Sequence, residues 1–326
     1  MSNAEIGNGL MHPELERRIM EVRRHFHHNP ELSNEERETQ AYLRGALEEA
    51  GLSGIKPVAS FGLAVDVVGT AGPSNPKVVI RADIDALPIT ETSGVPFSSE
   101  RLGVMHACGY HAHAAMAYAA SVLLERQKQS FSGTVGIIFQ PAEEAEPLGG
   151  RRVVDEGLLD DIDAAIGIHV DLYTETGKIA VGADPYTLAC DISDSTVTGN
   201  SAHAAKPSEG ADADAVARSM VTKLQKIVSR EIEPYDPLVV SITDIEGGGA
   251  YNVIAAEVRL KGTIRSGHKA TRQQRGRGLL QIVEGVASSH NANAEVDLRR
   301  GEPPVINDPD MSSAEPVSAC WGRTIC

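Results

Sequence analysis

Between residues 61 and 170 the chain switches repeatedly between short apolar runs and helix-length segments, and no other feature limits its fold as tightly. Residues 61–69 and 77–81 read as strands, 112–125 as a helix, 134–140 as a buried strand, 150–157 as a helix and 163–170 as another strand. Such alternation predicts an α/β fold with a mainly parallel sheet flanked by helices. Ahead of it, Leu15, Ile19, Val22 and Phe26 recur at spacings of four and three, which predicts an amphipathic helix ending near Asn29-Pro30. Ser33 and Glu36 predict a capping box for a second helix running to Gly51.

From about residue 180 the rhythm changes to strand 187–198, helix 210–229, strand 237–245, strand 251–265, helix 271–289 and strand 293–299. That β-α-β-β-α-β order predicts an inserted ferredoxin-like unit. Val258, Leu260 and Ile264 alternate with Glu257, Arg259 and Lys261, so one face of its sheet is dry and the other wet. A sheet with one solvated face could pair with a copy of itself. The expected domains are therefore 1–180, 181–300 and a short tail, 301–326, which has no clear period.

The formal net charge of -15 works against extended contact with nucleic acid or anionic membrane, because such surfaces call for clustered Lys and Arg. No stretch approaches the roughly 18 apolar residues of a bilayer span, and residues 1–18 contain no apolar signal core. A cytoplasmic protein is expected. Cys108, Cys190, Cys320 and Cys326 show no C-x-x-C spacing, so most should be free thiols.

Chemistry concentrates where an open parallel sheet presents its ligand crevice, at the carboxyl ends of strands. Asp83 and Asp85 close one predicted strand, Glu143 and Glu144 follow a second, and His169 ends a third. Cys108 lies with His106, His111 and His113 in the loop before a helix. Each alone has an ordinary structural explanation as a turn, cap, solvated face or core residue. Together they supply imidazole, carboxylate and thiolate, the ligand types of Zn²⁺ or Mn²⁺. Successive side chains leaving a strand diverge, so Glu144 can bind metal while Glu143 takes a proton from the attacking water.

These residues resemble the metallo-amidohydrolases and peptidases that include hippurate hydrolase, auxin-conjugate hydrolases and N-acetyl-diaminopimelate deacetylase. The match rests on His27-x-x-Pro30-Glu31, the run Arg81 to Pro88, His106-Ala107-Cys108, Pro141-Ala142-Glu143-Glu144 and Gly167-Ile168-His169. It continues through His203-Ala204-Ala205-x-Pro207, Gly247-Gly248, Asn252-Val253-Ile254 and Gly262-Thr263-Ile264-Arg265. The resemblance implies a metal-dependent hydrolase of N-acyl amino acids or related aryl amides, using one or two Mn²⁺ or Zn²⁺ ions per subunit. It implies that Cys108, Glu144 and His169 are ligands, Glu143 the general base and Asp83 an orienting residue. It makes the second unit a dimerisation lid whose His203 reaches a partner subunit's site to stabilise the oxyanion, with Asn252 and Arg265 holding the substrate carboxylate.

Two departures stand out. Tyr110 and His111 occupy the places of the family's His-Asp, the first of which is normally a ligand, and a neutral phenol is a poor substitute. Either His111 or His113 shifts in, or one ion binds weakly. The family's return to the catalytic domain, with a late histidine ligand, is also missing after Pro309. The alternative expectation is a truncated, impaired member that dimerises or binds carboxylates without turnover.

Overall fold

The computed structural model describes residues 11–73, 76–183 and 185–313. The expectations for the first ten residues and for the tail from 314 onward, with Cys320 and Cys326, lie outside the described residues. The chain divides into two compact units, one up to Glu175 and one from Thr176.

The first unit opens with helices α1 (Pro13–His28) and α2 (Arg37–Glu49). It continues with β1 (Lys56–Val58), β2 (Gly62–Val68), β3 (Lys77–Asp83), α3 (Tyr110–Gln127), β4 (Thr134–Gln140), α4 (Gly149–Asp155) and β5 (Ala164–Gly167). The sheet runs β1-β2-β4-β3-β5. Strands β4, β3 and β5 are mutually parallel, but β2 is antiparallel to β4 and β1 to β2. The sheet is thus mixed, which corrects the mainly parallel expectation. An apolar run encodes burial and not direction, since a backbone ladder forms either way.

Helices cover both faces. On one, Val22 and Phe26 of α1, Leu43 and Leu47 of α2 and Ala117 and Val122 of α3 pack on Leu63, Val65, Ile137 and Phe139. Each large side chain so buried contributes about 1.5–3 kcal/mol. On the other, Val153 of α4 meets Val79 and Ile138. The predicted capping box is not formed. Ser33 donates to Asp85 Oδ2 at 2.7 Å, and buried Glu36 accepts from the Ala142 N–H at 2.7 Å. Both groups are recruited by long-range partners that need them more than a helix end open to water.

The second unit contains β6 (Ala189–Thr198), α5 (Ala213–Arg230), β7 (Leu238–Gly247), β8 (Glu257–Ser266), α6 (Lys269–Ser289) and β9 (Asn293–Arg300). Its four strands are all antiparallel in the order β7-β8-β6-β9. Met220, Leu224 and Ile227 of α5 and Leu279 and Val283 of α6 pack on Val258, Leu260 and Ile264 of β8. Glu257, Arg259, Lys261 and Arg265 of β8 stay exposed on the opposite face. Among the described residues no helix is long and apolar enough to cross a membrane.

Candidate metal centre

Because β3, β4 and β5 are parallel, their carboxyl ends share one edge of the sheet. Asp83 ends β3, Glu143 and Glu144 follow β4, and His169 follows β5. The loop bearing Cys108 joins them at the start of α3, where Gly109 at φ 89° turns the chain into the helix. Only glycine adopts that left-handed conformation cheaply. A Cβ there would also come within 2.5 Å of Val170 Cγ2.

Asp83 is buried and doubly paired, with His113 Nδ1 at 2.5 Å and the Arg81 guanidinium at 2.5 Å. Burial alone would raise its carboxyl pKa, but the hydrogen bond from His113 and the charge of Arg81 outweigh it and hold it below the ordinary value. His113 Nε2 accepts from the Val170 N–H at 2.9 Å, so its proton sits on Nδ1 and points at Asp83. Asp83 thereby fixes, through one imidazole, the backbone beside His169. His113 was one of two histidines expected to shift toward a metal. In this arrangement neither of its nitrogens has a lone pair to offer.

Asp85 performs the matching task for the carboxylate pair. Its Oδ2 accepts from the backbone N–H groups of Glu143 and Glu144, at 2.9 and 3.0 Å, and from Ser33. This orienting role was missed in the sequence reading, where Asp85 was noted only as a strand-end acid. The one available sign was its spacing of two from Asp83, which puts both on the same side of an extended segment.

Tyr110 donates its phenol proton to Glu143 Oε2 at 2.7 Å. Burial first, and then that bond, push its pKa well above the usual phenol range. The Cys108 thiol is pushed up to about 11, first by burial and then by its hydrogen bond with Glu144. Glu144 Oε1 is buried with no hydrogen-bond partner. His169 is exposed, and its Nδ1 lies 2.7 Å from the Val170 carbonyl, which leaves Nε2 with the lone pair.

The orphaned Glu144 oxygen, the neighbouring soft sulfur and the free imidazole nitrogen suit a divalent ion. Among the described residues no three His, Cys, Asp or Glu side chains already stand as a closed ligand set.

His111 lies in a separate buried group. Its Nε2 is 3.3 Å from His27 Nδ1, and His27 Nε2 is 2.9 Å from Glu91. The His106 ring centroid is 5.5 Å away, and both its nitrogens are buried without partners. Of the remaining expected residues, His203 and Asn252 meet in the second unit, where His203 bridges Val253 and the Ala204 N–H donates to the Asn252 carbonyl at 3.0 Å. Arg265 stands on the solvent face of β8.

Residues 79–318 match the family model described as Peptidase family M20/M25/M40. The N-acetyl-L-cysteine deacetylase of Bacillus subtilis is 37% identical over 295 residues, covering 90% of this chain and 70% of that protein. The IAA-amino acid hydrolase ILR1-like 2 of Arabidopsis thaliana is 37% identical over 303 residues, covering 92% and 68%. Among solved structures, the Bacillus subtilis YXEP protein, a dinuclear metal-binding peptidase of the M20 family, superposes with a TM-score of 0.82 at 32% identity, covering 94% and 80%.

Proposed function

The chain belongs to peptidase family M20/M25/M40, a family of metal-dependent hydrolases, and on that premise we propose that it cleaves the amide bond of N-acyl amino acids or related aryl amides. The observation that carries the reading is the Glu143–Glu144 pair, clamped by Asp85, with Glu144 presenting a buried unpartnered oxygen beside Cys108. Cys108, Glu144 and His169 would hold the ion, Mn²⁺ or Zn²⁺. Such an ion supplies Lewis acidity toward the amide carbonyl and toward water.

Glu143 takes the proton of the attacking water and later passes it to the leaving amine. Asp83, through His113, keeps His169 in place. In the second unit, read as a ferredoxin-like lid over 181–300 between a catalytic part, 1–180, and the segment 301–326, His203 donates to the developing oxyanion of a partner subunit. Asn252 and Arg265 hold the substrate carboxylate, for which Arg offers a two-pronged donor. The thiols of Cys108 and Cys190, both free, fit a reducing compartment, and we assign the activity to the cytoplasm.

A second reading is favoured by one contact, the phenol of Tyr110 on Glu143, which engages the base and would suit a member that binds without turnover. A panel of N-acetyl, N-benzoyl and longer N-acyl amino acids, assayed with added Zn²⁺, Mn²⁺ and Co²⁺, separates the two. The expected result is chelator-sensitive hydrolysis that falls by at least about 10³-fold in Glu143→Gln. Absence of turnover in protein shown to hold metal would favour the second reading.

A further inference from the structure

Ala142, the residue before the candidate base, has φ 47°, a left-handed backbone that a residue with a side chain adopts only at a cost. Both its carbonyl and its N–H are held. The carbonyl accepts from the Gly149 N–H at 2.8 Å, so closely packed that a Cβ on Gly149 would fall 1.7 Å from the Pro141 carbonyl oxygen. The N–H donates to Glu36 Oε1 at 2.7 Å. Glu36 is fully buried, and its Oε2 has no hydrogen-bond partner among the described residues. Burying a carboxyl group is costly unless it is paired, and here the bond it gains is one to the turn that carries the Glu143–Glu144 pair. Glu36 is rigidly mounted, directly ahead of α2, which Leu43 and Leu47 seat in the core.

The next two N–H groups, of Glu143 and Glu144, both donate to Asp85 Oδ2. Three successive N–H groups thus end on buried carboxylates from two other segments, an anion-binding nest turned inward. Segment 31–36 supports all three. Glu36 takes the first directly, Ser33 donates to the Asp85 oxygen that takes the others, and the Glu31 carbonyl accepts from the Ala86 N–H beside Asp85 at 2.8 Å.

We propose that Glu36 is a positioning residue for the Glu143–Glu144 pair: its Oε1 fixes the left-handed turn at Ala142 and so sets the direction in which the two carboxylates leave β4. This role rests on the metal-hydrolase reading above, in which Glu143 is the base. What matters is the reach of an acceptor oxygen and not the charge it carries. Glu36→Gln keeps the reach and removes the charge, whereas Glu36→Asp keeps the charge and withdraws the oxygen by one methylene.

The test compares these two variants in the full chain, by N-acyl amino acid hydrolysis with added Zn²⁺ and by hydrogen–deuterium exchange read by mass spectrometry. In Glu36→Asp, kcat should fall at least about tenfold while KM stays within about twofold, because a misaimed base costs turnover before binding. Exchange over 142–144 should quicken at least about tenfold in that variant, with the amides of α1 unchanged. Glu36→Gln, the conservative variant, should recover kcat to within about threefold of the parent and restore slow exchange. A Glu36→Asp chain with the parent's kcat and exchange would overturn the proposal. So would quickened exchange spread equally to α1, the sign of a general loss of stability, or a Glu36→Gln chain as impaired as Glu36→Asp. A parent without turnover would remove the hydrolase reading alone, since the exchange comparison needs no turnover and still decides whether Glu36 holds the turn.

Discussion

At the scale of single residues, the buried histidines next to the candidate centre set a limit on acid stability. His106 is held down to about 3 by burial first and then by the charge of His27, and His111 to about 3 by burial and then by His106 and His27. In an unfolded chain both titrate near 6.5. Between about 6.5 and 3 the unfolded chain therefore carries protons that the folded one refuses, so stability falls as pH drops through that window. Moving from pH 7 to pH 5 should cost about 2 kcal/mol for each such histidine. Urea denaturation at the two pH values would reveal it, and His106→Gln should flatten the slope. A midpoint that does not move on acidification would contradict the assignment.

Residues also divide by how readable they are. Cys108, Glu143, Glu144 and His169 are recognisable by type and by place at the end of an apolar run. Asp85 and His113 are not, because what they do is defined by groups 30 to 58 residues away, Glu143 for Asp85 and Asp83 and Val170 for His113. Pairing over such separations exists only once the sheet has assembled.

At the scale of elements, the start of α3 is the joint on which the centre depends. Gly109 holds the left-handed turn, and the space a side chain would take is filled by Val170, whose N–H fixes His113. Gly109→Ala should cost at least about 1–2 kcal/mol from the backbone conformation alone. It should also weaken metal binding, because Val170 must move. Denaturant unfolding and chelator competition measure the two effects, and an unchanged unfolding midpoint would show that the turn is not under this constraint.

Most element positions were legible from periodicity, and the long helices Ala213–Arg230 and Lys269–Ser289 fall close to their predicted spans. The short strand Lys56–Val58 was not anticipated. With Pro57 in its middle it has no apolar alternation, and it is a strand only because Gly62–Val68 lies alongside it.

At the scale of the whole molecule, the second unit bears on assembly. Its helices cover one face of a four-stranded sheet, and strand β7 at one end of that sheet exposes Val239 and Ile245. An edge strand with exposed apolar side chains favours pairing with another strand. On the proposed reading the partner is a second copy, so light scattering after size exclusion should return twice the mass of the chain, and Val239→Lys should shift it toward monomer. A monomer at all micromolar concentrations would remove the lid-to-lid dimer and the role given to His203 in a partner's site.

By itself the sequence determined the elements and the chemical types gathered at their ends. Apolar periodicity and side-chain chemistry are local properties, and they persist wherever the chain goes. It also determined the family, through motifs spread along the matched residues. Tertiary structure alone decided that the first sheet is mixed, that Ser33 and Glu36 leave the helix end for Asp85 and Ala142, and that His113 serves Asp83 and Val170. Strand direction and hydrogen-bond partnership are settled by competition among distant groups for the same protons and lone pairs. The same competition gives the proton of Tyr110 to Glu143.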